Sequence, residues 1–331
     1  MKFTITLFVA ISISLGSYSQ KGGCCLSFDS LQFSKCDQLN KDLSNTNILL
    51  LGEIHLLDTN PIIQVDLLMY LNQFHGFRNL LIEFGKAEAY LLNKYLETGD
   101  QLYLDRTTYG IKEIDSYYSS MEKLYNYNLK LSSEEKIVIH GLDFEREPSL
   151  SVSIVELLSD YKHNKAIDLF RQSLVSRIDT IGIVRDNKDF IEFLKTRIKS
   201  LDIPNGQNKS LIMSFLENEA FFVNMSQRDH QMTLNYRSIY SVDDKYFGQF
   251  GAGHTMLTNP RSLAYRLNFD KDYTNKLLVI NMYLKDNNPS NSLSNLMSCP
   301  NFLYRLDESD PKLTAFRKRG QWVLVLENRS Q

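Results

Sequence analysis

The chain has 331 residues, 43% of them hydrophobic and 23% charged, with a formal net charge of −2 at neutral pH. That is the make-up of a globular protein with enough chain for a large α/β domain. So small a net charge excludes the basic footprint of a nucleic-acid binder, or of a protein held to anionic lipid by charge.

The first segment, MKFTITLFVAISISLGSYSQ, has Lys2 at its start, an apolar centre from Phe3 to Leu15, and small residues at Ser17 and Ser19. This layout predicts a secretory signal peptide over 1–20, too short and too poorly flanked for a membrane anchor. The expected product is an exported, periplasmic or extracellular chain of residues 21–331 with no membrane span. Four cysteines follow: Cys24, Cys25, Cys36 and Cys299. Export favours a disulfide from Cys24 or Cys25 to Cys36.

Asn47–Glu53 (NILLLGE) is almost wholly apolar until its last residue, which predicts a strand covered on both faces, as in a parallel sheet. Apolar residues at helical spacing (Ile62, Val65, Leu68, Met69), with Pro61 in the first turn, predict a helix over Pro61–Phe74. Asn79–Gly85 (NLLIEFG) repeats the strand pattern and leads into a helix over Lys86–Glu97, stopped by Thr98-Gly99-Asp100. Lys136–Asp143 (KIVIHGLD) is a third strand. Ser149–Tyr240 reads almost entirely as helix, broken at Ile203-Pro204-Asn205-Gly206. Lys245–His254, Lys276–Leu284 and Gln321–Glu327 are further strands, and Asn287–Cys299, rich in Asn and Ser, is a loop. Alternating strands and helices followed by a helical block predict a single α/β domain. Its central sheet is mostly parallel and flanked by helices, with a helical insertion or cap over about 149–240.

Ligands of open parallel sheets sit beyond the carboxyl ends of the strands. Here those ends carry Glu53 and His55, Glu83, Asp143, and His254 after Gly251-Ala252-Gly253. Residues two apart on extended chain project to the same side, which pairs Glu53 with His55. Isolated buried charges are costly unless they pair or bind something, so convergence of these groups in one pocket is the economical expectation. His140, inside its strand, reads as a hydrogen-bonded core histidine. The segment SQRDHQMTLNY places Arg228, Met232 and Asn235 roughly on one helix face; Arg228-Asp229 reads either as a surface ion pair or as an arginine aimed into a carboxylate-rich pocket, where it would hold an acid ionised.

Taken in order, LLLGEIH, HGFRNLLIEFGKAEAYLLNKYLETGD, HGLDFE, QRDHQMTLNY and GAGH resemble the landmarks of the erythromycin-esterase-like superfamily over about Asn47–Met256. The wider group includes Tiki/TraB-type metalloproteases and haem-binding iron-regulated lipoproteins. The short Gly52-Glu53-Ile54-His55 opening and the single His254 ending resemble those two branches more than the esterases.

The resemblance implies a hydrolase without a cofactor, acting on a small-molecule or peptide substrate through an ester, lactone or amide bond. His55 would be the general base, oriented by Glu53 or Glu83; His254 would be a second base or oxyanion donor; Arg228 and Asp143 would support them, and Asp58 and Asp229 would meet the substrate. No G-x-S-x-G nucleophile signature occurs. Two alternatives stand beside this reading. One is a divalent-metal hydrolase with His55, Glu83 and His254 as ligands, although H-E-x-x-H is absent. The other is a haem- or ligand-binding protein with His55 or His254 as axial ligand and no C-x-x-C-H.

Overall fold

The computed structural model describes residues 23–26, 33–107, 114, 116–178, 188–218, 225–273, 276–284, 301–306, 314–317 and 319–326. The expected signal peptide, Cys299 and the expected loop over Asn287–Cys299 lie outside these residues. Eight strands form one sheet: β1 (Gly23–Cys25), β2 (Ile48–Glu53), β3 (Asn79–Ile82), β4 (Val138–Gly141), β5 (Tyr246–Gly251), β6 (Leu277–Leu284), β7 (Phe302–Arg305) and β8 (Trp322–Leu326), in the order β1-β7-β8-β6-β2-β5-β3-β4. From β8 to β4 every pairing is parallel, and only β1 with β7 and β7 with β8 are antiparallel. All six expected strands form. The antiparallel strands β1 and β7 at one side of the sheet are short additions that no apolar run announces.

Each central strand is covered on both faces, which is why its sequence is apolar throughout rather than alternating. Leu49 and Leu51 of β2 pack with Ile63, Leu67 and Leu71 of the helix Thr59–His75 on one face. Ile48 and Leu50 meet Met232 and Tyr236 of the helix Met225–Ile239 on the other. The expected helix over Pro61–Phe74 thus runs Thr59–His75, and that over Lys86–Glu97 runs Lys86–Thr98; both end on a glycine in the left-handed region, Gly76 and Gly99.

Between β4 and β5 lie the helices Glu147–Leu158, Lys165–Ile178, Lys188–Ser200, Gln207–Leu216 and Met225–Ile239. The first four share their own buried core, including Ile154, Phe170, Leu194 and Phe215, and the break at 203–206 separates two of them. The fifth packs directly on the sheet, so the helical block divides into a cap and a layer of the main domain. The Cys24–Cys36 disulfide forms, tying β1 to the start of the helix Asp37–Leu43, and Cys25 is disulfide-bonded as well. Among the described residues no helix is long and apolar enough to cross a membrane.

Candidate active site

The strand order places the site. β5 follows β4 by more than a hundred residues, yet it inserts between β2 and β3. This brings the carboxyl ends of three strands distant in sequence side by side, where open parallel sheets bind their ligands.

At the end of β2 the Glu53 carboxylate accepts a hydrogen bond from His55, with Oε1 3.0 Å from Nδ1. Its other oxygen accepts from the Gln249 amide at 2.6 Å. The His55 side chain is 63% exposed and Glu53 only 20%. Because Glu53 is an acceptor, Nδ1 carries the proton of neutral His55 and Nε2 keeps its lone pair. The ring lies across Gly251: a Cβ built there would stand 2.4 Å from His55 Nε2 and 3.5 Å from Glu83 Oε2. A glycine is what lets the imidazole and the carboxylate face each other over β5. The next residue, Leu56, turns the chain into the helix with a φ of 64°, the only positive φ of a non-glycine residue among the described residues. The Glu53 hydrogen bond, opposed by partial burial and aided by the charge of Glu83, raises the His55 pKa.

Glu83 is the hub. Its Oε2 accepts from the Gly251 backbone N–H at 2.7 Å, while Oε1 accepts from Arg228 Nη2 at 2.7 Å and lies 3.3 Å from His254 Nε2. Burial would push this carboxyl up, but His254, Arg228 and the Gly251 N–H together hold it well below the usual carboxylate range. Arg228 also donates Nε to Asp143 at 2.8 Å, pairs its Nη2 with the second Asp143 oxygen, and rests on the Phe144 ring. His254 is 2% exposed, with Nδ1 on Asp229 and Nε2 on Glu83. Burial opposes its charge; the hydrogen bonds from its ring to Asp229 and Glu83 prevail and raise its pKa to about 9.

The structure therefore links Glu53, His55, Glu83, Asp143, Arg228, Asp229 and His254. Two roles expected from sequence differ in the folded chain. His254 has both nitrogens committed to carboxylates and is an imidazolium at neutral pH, so it is a fixed cation rather than a second base. Asp229 is 1% exposed and bound to His254 and the Leu263 N–H, which makes it a brace for the imidazole rather than a contact for substrate. Asp58 stands apart from the linked set, exposed at the start of the helix Thr59–His75. His140 pairs with Asn79 at 2.9 Å, and burial lowers its pKa to about 4, as befits a core histidine.

Sequence reading set Asn235 on the Arg228 face but missed the other amides, Gln249 and Asn218. Gln249 holds Glu53, Asn218 donates to the Asp143 carbonyl at 2.7 Å, and Asn235 donates to the Leu142 carbonyl at 2.7 Å. Gln249 did leave a signal, as the one polar residue of a strand buried at every position. A metal ion does not fit the donors as arranged. Both nitrogens of His254 are engaged, Glu83 already receives three partners, and no cluster of three or more His, Cys, Asp or Glu among the described residues is placed to hold an ion.

Comparison with solved structures gives the fold independently. A Bacillus cereus protein superposes with a TM-score of 0.62 at 15% identity, covering 92% of this chain and 94% of its own. A succinoglycan biosynthesis protein gives 0.61 at 13% identity, covering 92% and 93%. A mutant erythromycin esterase, EreC, in its open conformation gives 0.57 at 15% identity, covering 89% and 93%. No protein-family profile and no curated protein matches the sequence. At such identities the likeness shows a shared fold, the α/β architecture expected from the alternation of strands and helices.

Proposed function

We propose that the protein is an exported hydrolase that activates water with His55 and attacks an ester, lactone or amide. One observation carries the reading: His55 is the exposed imidazole, fixed through Nδ1 by Glu53, and its Nε2 looks across Gly251 toward an ionised Glu83. A water between them would give one proton to His55 Nε2 and direct the other at Glu83 Oε2. His55 would then pass its proton to the leaving group as the tetrahedral intermediate collapses. Arg228 and His254 hold Glu83 ionised and immobile throughout. A positioned base of this kind contributes about 10²–10⁴-fold. The fold shared with an erythromycin esterase supports ester or lactone chemistry, and the disulfides support export to an oxidising compartment.

The test is hydrolysis of a panel of aryl esters and lactones by the wild-type chain, His55→Ala and Glu83→Gln, with folding followed by circular dichroism. Loss of turnover in both folded variants is expected. Wild-type turnover that survives in both would remove these residues from the mechanism.

A further inference from the structure

Gln249 lies in the middle of an apolar strand and is 5% exposed. Its amide donates twice from one nitrogen, to Glu53 Oε2 at 2.6 Å and to the Asn60 carbonyl at 3.3 Å. Asn60, 4% exposed, in turn donates its own amide to the Ile54 carbonyl at 2.7 Å, clamping the turn that carries His55. The side-chain oxygens of both residues, Gln249 Oε1 and Asn60 Oδ1, are buried without a hydrogen-bond partner.

Such orphaned acceptors are expensive, and a leucine at 249 would fill the same volume without them. Stability alone gives no reason for an amide there. What the amide provides is a donor aimed at the one oxygen of Glu53 that His55 does not use. With that oxygen tethered, the carboxylate cannot rotate away from Nδ1. We infer that Gln249, braced by Asn60, is a positioning residue that fixes Glu53 so that His55 holds its proton on Nδ1 and presents a bare Nε2.

The catalytic consequence rests on the hydrolase reading above, whereas the titration and tautomer of His55 need no substrate, so the two ideas fail separately. The experiment is NMR titration of ¹⁵N-labelled His55 in the wild type, Gln249→Leu, Gln249→Glu, Glu53→Gln and the Gln249→Leu/Glu53→Gln double variant. In Gln249→Leu the midpoint should fall part of the way that Glu53→Gln moves it, and the Nδ1–H tautomer should lose its dominance. Gln249→Glu sets a second carboxylate in the same place and should move the midpoint up. The double variant should match Glu53→Gln alone. In a hydrolysis assay Gln249→Leu should lower kcat with KM unchanged, by no more than the roughly 10²–10⁴-fold a base supplies. A His55 midpoint and tautomer unchanged in both Gln249 variants would overturn the inference, as would shifts that simply add in the double variant.

Discussion

Gly251→Ala isolates the geometry on which the site depends. The new Cβ would stand 2.4 Å from His55 Nε2 and 2.5 Å from Cε1, where unstrained contacts lie near 3.5 Å. The ring must therefore withdraw by about 1 Å. Glu83 Oε2, at 3.5 Å from the same point, is in ordinary contact and stays where it is. Gly251 closes a strand and its φ lies outside the left-handed region, so alanine meets no backbone strain. His55 is exposed and moves aside cheaply, which keeps the expected stability change within about 0.5 kcal/mol. A misplacement of that size costs about 10²-fold in rate, or about 3 kcal/mol of barrier. Steady-state ester hydrolysis measured beside urea unfolding checks both halves, with His55→Ala as the floor. A Gly251→Ala chain as active as the wild type would show that catalysis does not use the imidazole in this position, and the reasoning would fall.

A base works unprotonated, so kcat/KM should rise with pH through the His55 midpoint, which stands above the ordinary 6.5; Glu53→Gln should carry this acidic limb to lower pH, and an unmoved limb would acquit Glu53. His254 should supply a falling limb near pH 9, where it loses the proton that keeps Glu83 in place, and His254→Gln should abolish that limb. The same raised pKa is a statement about stability: the contribution is complete below about pH 6.5 and is lost as pH climbs through about 9, about 3 kcal/mol in all. Denaturant unfolding of wild type and His254→Gln at several pH values measures it, and a pH-independent difference between them would contradict it. Arg228→Met leaves Asp143 buried without its cation and Glu83 with His254 alone, and should cost about 3–5 kcal/mol, read from the same unfolding curves.

How far the sequence reveals this molecule depends on the range of the interactions concerned. NILLLGE and KLLVINMYL announce buried strands because a strand covered on both faces needs apolar residues at every position. GCC and FLYR, which become β1 and β7, are antiparallel strands of three and four residues at one side of the sheet whose partners are set by tertiary contacts, and nothing local marks them. The polar strand ends were legible because a carboxylate or imidazole after an apolar run is conspicuous. Their partners were not. The insertion of β5 between β2 and β3 decides that Glu83 meets Gly251, Arg228 and His254, and chain order carries no trace of it. Nor does a sequence say which nitrogen of a histidine a carboxylate takes, and that detail separates the role of His55 from that of His254.

The contrast between the two imidazoles follows from how many acids each one touches. His55 has one direct carboxylate partner and an open face toward solvent, which leaves its ring free to exchange a proton with water. His254 lies between two carboxylates with both nitrogens used and almost no exposure, and its pKa is raised to about 9. Were His254 to shed its proton near neutrality, Glu83 would lose one of its two cations while still buried, and its own charge would become costly. A neutral Glu83 could no longer accept from an attacking water that must donate to His55 as well. In the proposed mechanism the two imidazoles thus divide the work by acidity: the buried one holds its proton so that the exposed one is free to exchange.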